Sequence, residues 1–240
     1  MVIEKFEVDK AKYNITQCEA KMFACLVTVN ASESIKAVID EINDDSWIAK
    51  LNIVDRTSYE ARAIRTVEKI MRECTKSNDT LTKETEYDYS VVGEYIISRE
   101  GRNTLVSEFQ HAHVPLAELW KEQLSGNPGF DYHSESISNR IVFGEAKYNS
   151  TSNPYNDAIS QVEGFIQDKK DKMELTDLKH FVTDKAVNNF LENKKGFAVS
   201  FSIKAADPSK IIENAICSQL INQIKQYDEF YIIGVIINDK

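Results

Sequence analysis

The sequence predicts a mixed α/β (α+β) fold, in which a central sheet is flanked by helices and preceded by an N-terminal α/β extension. Three observations lead to this prediction. Short β-branched apolar runs alternate with apolar stripes at helical spacing through the 240 residues. After residue 90, two adjacent strands are followed by alternating helices and strands, which is typical of a sheet covered by helices. A polar, turn-rich stretch at residues 77–90 separates this part from an earlier group of elements.

The N-terminal part is predicted to contain one strand and two helices. Residues 22–29 form an apolar, β-branched run, which predicts a strand. One helix is expected to begin near Ser34 and a second to span residues 58–74. The two apolar stripes consist of Ile35, Val38, Ile39 and Ile42, and of Ala61, Ile64, Val67, Ile70 and Met71. We therefore divide the chain into residues 1–85, a subdomain for which docking onto a partner is a hypothesis, and residues 86–240, the core.

The first half of the core is predicted to run from a helix into a pair of strands. The helix begins at residue 91 and is expected to break at Gly101. A short helix or turn at residues 114–126 precedes strands at residues 129–133 and 140–148, which are joined by turn residues.

The second half alternates helices with strands. Asn153 is expected to cap a helix that has Pro154 in its first position. Another helix is predicted at residues 175–191, and strands at residues 197–203 and 230–237. Between these strands, Asp207 and Pro208 open a helix. The apolar stripes of the first and last of these helices are Tyr155, Ile159, Val162 and Ile166, and Ile212, Ile216, Leu220 and Ile224.

The composition limits the classes of function. The net charge of −9 argues against avid, unregulated binding to a polyanion, although it leaves room for a local basic groove. No apolar stretch approaches the length of a membrane span, and the first residues lack the apolar run of a signal peptide, so we expect a cytoplasmic protein. The four cysteines are not spaced as metal ligands, and free thiols are expected in a reducing compartment.

The most informative stretch contains Glu145, Ala146 and Lys147 at the end of a predicted strand. Alternate side chains of a strand share a face, so Glu145 and Lys147 point the same way, and Asp131 on the preceding strand would lie beside Glu145. Two carboxylates and the Ala146 carbonyl would form an oxygen cage suited to Mg²⁺ or Mn²⁺. Lys147 would hold the attacking water and offset developing negative charge. The alternative interpretation is a surface salt bridge on an edge strand.

This arrangement resembles the PD-(D/E)xK nuclease superfamily, whose fold is restriction-endonuclease-like. Pro128-Gly-Phe-Asp131 corresponds to the first half of the motif, with two inserted residues, and Glu145-Ala-Lys147 to the second. The resemblance implies a further acidic ligand from an early helix, which Glu94 would supply. It also implies a glutamine on the helix after the motif, which Gln161 would supply. For both residues, an ordinary solvated helix position is the alternative.

A narrower resemblance is to the HamA family, the nuclease subunits of the bacterial Hachiman anti-phage system. The segments LAELWKEQLSGNPGFDYHSES, FGEAKYN and NPYNDAISQVEGFI carry it, within residues 90–170. It implies DNA degradation together with a HamB-like helicase partner, and the chain has no phosphate-binding loop of its own. The rival hypothesis is a binding or regulatory subunit that keeps the nuclease fold without catalysis. His133, two residues after Asp131, is expected to line the same cleft.

Overall fold

A computed structural model of the chain describes residues 2–74, 89–121 and 129–238. Within these residues a mixed sheet of seven strands is flanked by helices, so the predicted mixed α/β class is confirmed. The strands are β1 (Val2–Glu7), β2 (Lys21–Asn30), β3 (Ala112–His113), β4 (Tyr132–Glu135), β5 (Ile141–Lys147), β6 (Gly196–Ser202) and β7 (Glu229–Asn238).

The sheet has the order β1-β2-β7-β6-β5-β4-β3. Its four central strands β2, β7, β6 and β5 pair in parallel, and β1, β4 and β3 add antiparallel at the edges. Parallel neighbours require crossover connections, and the helices supply these connections. Strand β2 pairs with β7 over ten residues, so the N-terminal segment belongs to the same sheet as the motif strand β5. The predicted boundary at residue 85 lies outside the described residues.

Eight α-helices surround this sheet in the described segments. They are α1 (Ala31–Ile42), α2 (Ile53–Cys74), α3 (Tyr89–Phe109), α4 (Ala117–Trp120), α5 (Tyr155–Gln167), α6 (Lys170–Leu178), α7 (Asp184–Leu191) and α8 (Pro208–Ile216). Short 3₁₀ turns occupy Ile48–Lys50, Gln219–Asn222 and Ile224–Gln226. None of the helices in these segments combines the length and the hydropathy that crossing a membrane requires.

Helix α3 crosses the sheet without interruption, so the predicted break at Gly101 is wrong. The glycine is required for close packing. A Cβ atom at Gly101 would lie 2.1 Å from the Oγ of Ser200 and 2.9 Å from the ring of Tyr132. The absence of a side chain lets the helix lie directly on β4 and β6, which is a packing reason for a glycine inside a helix.

The predicted single helix at residues 175–191 is two helices, α6 and α7. The chain turns at Thr183, whose hydroxyl accepts a hydrogen bond from the Ala186 amide and so caps α7. The amide and hydroxyl of Thr183 both donate to the carboxylate of Glu135, at 2.7 and 2.6 Å. A side chain from β4 therefore fixes a break that the helical pattern alone does not show.

Three other expectations are corrected. Helix α8 ends at Ile216, so Leu220 and Ile224 lie in separate 3₁₀ turns. The Asn153 side chain does not cap α5, because it accepts a hydrogen bond from the Lys204 amide. The apolar stripe of α2 is predicted only in part: Ile70 is buried as expected, but Ile64 is 64% exposed, and Tyr59, which was not predicted, is buried.

The core lies on both faces of β5 and β6, whose residues are almost all buried. On one face an aromatic cluster joins the sheet to α5 and α7, with Phe143 in contact with Phe190, and Phe130 in contact with Phe165. On the other face lies α3. Because both faces are covered, a charged side chain on β5 is buried unless it reaches the end of the strand.

Candidate active site

Glu145 and Lys147 lie at the carboxyl end of β5. This strand is interior, paired with β4 on one side and β6 on the other, so the alternative of a salt bridge on an edge strand is wrong. The Glu145 side chain is fully buried, and that of Lys147 is 22% exposed. The Lys147 ammonium donates a hydrogen bond to Glu145 Oε1 at 2.9 Å. The pair is therefore a partly buried ion pair that reaches the surface through the lysine.

Asp131 lies beside this pair, as the sequence predicts. Its carboxylate accepts a hydrogen bond from the Ala146 amide at 2.7 Å, and its own amide donates to the Gly144 carbonyl at 2.9 Å. The carboxylate thus takes the place of a backbone acceptor just before β4. This strand begins at Tyr132, and the prediction that it begins at residue 129 is wrong. The contact fixes Asp131 against the residues that flank Glu145. Pro128, the first residue of the proposed motif, lies outside the described residues.

The two carboxyl groups are in an unfavourable environment for two negative charges. Burial raises the pKa of Asp131 to about 6, against the opposing effect of the Lys147 charge. Burial, and then the charge of Asp131, raise the pKa of Glu145 well above its usual range. The Oε2 atom of Glu145 is buried and receives no hydrogen bond from a donor group of the described residues, and the Glu145 carboxyl group itself hydrogen-bonds with that of Asp131, which also raises its pKa. A buried acceptor without a partner is costly, and such atoms concentrate at functional sites.

Glu94, on α3, reaches the same place. Its Oε1 atom lies 3.7 Å from Lys147 Nζ, and its side chain is 52% exposed. Helix α3 approaches the end of β5 closely because residue 93 is glycine: a Cβ atom there would lie 2.4 Å from the ring of Tyr148. The structure therefore brings together Asp131, Glu145, Lys147 and Glu94.

A further carboxyl group, that of Glu118, was not predicted from the sequence. It lies on α4, a single turn that is anchored where the Ala117 amide donates to the Asp131 carbonyl at 3.1 Å. Burial, and then the charge of Asp131, raise the pKa of Glu118 to about 8, and its Oε2 atom is buried without a partner. A glutamate within the apolar run Leu116-Ala-Glu-Leu-Trp120 is the signal that would have found it.

Gln161 is not hydrogen-bonded to the described residues of the site. It lies half-buried on α5, the helix that packs on β5 and β6. Its side-chain amide makes no hydrogen bond within the part of the chain that the structure describes. The geometry therefore offers no support for its predicted role in orienting Lys147.

His133 does not line the cleft. Its ring is fully buried against Trp120 and Phe143, and Nε2 lies 2.7 Å from Glu174 Oε2. Burial lowers the pKa of His133, and the Glu174 charge opposes this effect. It is a hydrogen-bonded core residue, and the expectation that it faces substrate is wrong.

The donors at this site suit a hard divalent cation, although they are not gathered around one. Carboxylate oxygens are the ligands that Mg²⁺ and Mn²⁺ prefer, and the Oε2 atoms of Glu118 and Glu145 are buried and receive no hydrogen bond from a donor group of the described residues. Across residues 2–74, 89–121 and 129–238, no three acidic, histidine or cysteine side chains are already arranged as a metal-binding group. The Lys147 ammonium instead supplies the positive charge between Glu145 and Glu94.

The chain matches no protein-family model, no curated protein and no solved structure. The functional argument therefore depends on the residues and geometry described above.

Proposed function

We propose that this chain is a Mg²⁺- or Mn²⁺-dependent nuclease of the PD-(D/E)xK superfamily, with a restriction-endonuclease-like core, that hydrolyses DNA phosphodiester bonds. One observation carries the proposal. Asp131 is fixed against the Glu145–Lys147 end of an interior strand, where the half-buried Asp131 carboxyl and the fully buried Glu145 carboxyl hydrogen-bond with each other. A strand that served only stability would not place two carboxyl groups side by side away from water, because burial and the neighbouring negative charge both disfavour ionisation.

The residues have two roles: some would bind the metal ion, and one lysine would position the attacking water. Asp131 and Glu145, with the Ala146 carbonyl and Glu94, would hold the divalent cation. When bound, that cation polarises the phosphodiester and lowers the pKa of a coordinated water. Lys147 keeps its proton, because its carboxylate neighbours raise its pKa despite the lowering effect of burial. Its ammonium can therefore orient the attacking water and offset negative charge that develops on the phosphate.

The resemblance to HamA adds a partner and a setting to the proposal. A HamB-like helicase would deliver DNA to the nuclease during phage infection, in the bacterial cytoplasm. The net charge of −9 supports the need for delivery, because a strongly acidic chain gains little non-specific affinity for DNA. An acidic nuclease that binds DNA poorly alone is also easier to keep inactive.

The alternative function is a catalytically silent subunit of a nucleic-acid-processing complex. The observation that favours it is the position of Lys147, whose ammonium lies 2.9 Å from Glu145 and 3.7 Å from Glu94. This ion-pair arrangement neutralises two of the proposed ligands without any metal. A binding module would keep that arrangement permanently.

Cleavage of plasmid and linear DNA with Mg²⁺, Mn²⁺ or EDTA tests the proposal. Glu145→Gln and Lys147→Met are each expected to reduce cleavage by roughly 10²–10³-fold, since the first removes a ligand of the cation and the second removes the ammonium that orients the water. Lys194→Met removes an exposed lysine charge and serves as the matched control. Mn²⁺ binding, followed by electron paramagnetic resonance, should weaken in Glu145→Gln and remain in Lys147→Met.

The assay is repeated with a HamB-like helicase if the chain alone does not cut. Cleavage by Glu145→Gln at the wild-type rate would refute the assigned site. Absence of both cleavage with the helicase and carboxylate-dependent Mn²⁺ binding would leave the silent subunit as the function.

A further inference from the structure

An apolar groove lies between α1, α2 and α4, and we call it the Ile64 groove. It has a volume of about 500 Å³. Its floor consists of Ile42, Trp47, Ile48 and Leu119, all at least 91% buried, and the exposed Ile64 of α2 forms one wall. Volumes of about 300–1,000 Å³ are typical of sites that bind a ligand or a few anchoring side chains.

Two other exposed apolar side chains lie on α2 outside the groove. Ile53 and Val54 in the first turn of the helix are 71% and 74% exposed, and Ile64 is 64% exposed. Ile53 and Ile64 are about 16 Å apart along the helix axis, so only Ile64 borders the groove. The apolar contact that the groove offers to another molecule therefore consists of Ile64 and the groove floor.

The rim of the groove carries charge of one sign. Asp44, Asp45, Glu60 and Glu68 line it and are exposed, and among the described residues no lysine or arginine lines it. Glu60 and Glu68 lie on α2 four residues before and after Ile64. At a rise of about 1.5 Å per residue, they are about 12 Å apart along the helix axis. A complementary partner therefore carries cations at a similar spacing with an apolar side chain between them.

We propose that the Ile64 groove binds an amphipathic helix of a partner protein, with an apolar face flanked by lysine or arginine. Helices bind to grooves through anchors at positions i, i+4 and i+7, which span about the distance between Glu60 and Glu68. A second copy of this chain is disfavoured, because two acidic rims would meet in a molecule of net charge −9. The proposal does not depend on nuclease activity.

Three synthetic 18-residue peptides test this surface. The first has leucine at i, i+4, i+7 and i+11 with lysine on both flanks. The second has glutamate in place of lysine, and the third has the composition of the first in scrambled order. Binding is measured by fluorescence anisotropy of the labelled peptide, and the emission of Trp47, on the groove floor, reports occupancy. We expect the lysine helix to bind and the other two to bind at least about 10-fold more weakly.

Variants of the chain distinguish groove binding from general attraction to an acidic protein. Ile64→Lys is expected to lower the affinity for the lysine peptide about 10-fold or more, because an apolar contact is lost and a charge of the same sign as the peptide's is added. Ile137→Lys is the control, because Ile137 is 71% exposed and lies in the turn between β4 and β5. The pair Glu60→Lys/Glu68→Lys should reverse the preference toward the glutamate peptide.

A matched double variant, Asp157→Lys/Asp168→Lys, changes the net charge equally at exposed positions on and just after α5 and should preserve the preference. Equal effects of Ile64→Lys and Ile137→Lys would overturn the proposal. Equal binding of the ordered and scrambled lysine peptides would overturn it as well. Circular dichroism of each variant confirms that the fold is retained before its affinity is compared.

Discussion

Replacing Glu118 with glutamine is expected to stabilise the protein at pH 8 and to leave its stability nearly unchanged at pH 5. Burial, and then the charge of Asp131, raise the pKa of this carboxyl group from an ordinary 4.5 to about 8. Between those pH values the folded protein retains a proton that the unfolded chain has released. The free energy of unfolding therefore falls as pH rises through this window. Glutamine has no charge to desolvate and removes that loss.

The magnitude follows from the pKa difference. Each unit corresponds to 1.36 kcal/mol, so about three units between pH 5 and pH 8 set a ceiling of roughly 4 kcal/mol. Glu118 interacts with Asp131 and the two titrate together, so we expect about half of this, ~2 kcal/mol. For a domain of this size, ~2 kcal/mol raises the melting temperature by about 4–8 °C.

Thermal unfolding is followed by circular dichroism at pH 5, 6.5 and 8. EDTA is present throughout, because a cation bound to the folded state would add its own stabilisation. Glu192 is 63% exposed, so Glu192→Gln removes the same charge at the surface. This control variant should show no pH-dependent increase in melting temperature. A gain for Glu118→Gln that is equal at pH 5 and pH 8 would refute the reasoning.

Two further predictions concern packing and a buried ion pair. Gly101→Leu should lower the free energy of unfolding, measured with urea, by ~2 kcal/mol or more, because the new Cβ atom would lie 2.1 Å from Ser200 Oγ. Gly164→Ala, where no atom lies within 4 Å of the new Cβ, should instead stabilise by about 0.5–1 kcal/mol, and equal effects would contradict the packing argument. Lys195→Met should cost about 3–5 kcal/mol, because it leaves the buried Asp171 carboxylate unpaired. The double variant with Asp171→Leu should recover most of that loss, and no recovery would show that the charge is not the cause.

The sequence predicts most of the central sheet because its strands are distinct in composition. The predicted strands at residues 22–29, 140–148, 197–203 and 230–237 correspond to β2, β5, β6 and β7, with ends that differ by one residue. These strands are buried on both faces and so appear as nearly continuous apolar runs. The proximity of Asp131 to Glu145 was also predictable, since neighbouring strands place them side by side.

Features that depend on tertiary contacts were not predictable. Strand β1 is an edge strand with alternate residues half-buried, and β3 has only two residues, so neither forms an apolar run. The apolar pattern of α2 is compatible with more than one buried face. The packing of the helix decides between them and leaves Ile64 exposed. Glu118 enters the carboxyl cluster only because α4 is anchored to the Asp131 carbonyl. The apolar run around Glu118 marks the residue as unusual, but no local signal specifies the contact of α4 with the Asp131 carbonyl.

The pairing of β2 with β7 has a consequence for how the chain is made. Lys21 pairs with Glu229, so nearly 200 residues are translated between the end of β2 and the start of β7. During synthesis, β2 emerges early with one side of its backbone unpaired, and only β1 can protect the other side. An apolar strand with an open edge is prone to pairing with other chains. Nascent chains that stop before β7 should therefore accumulate on chaperones or aggregate, whereas chains that include β7 can pair the open edge of β2.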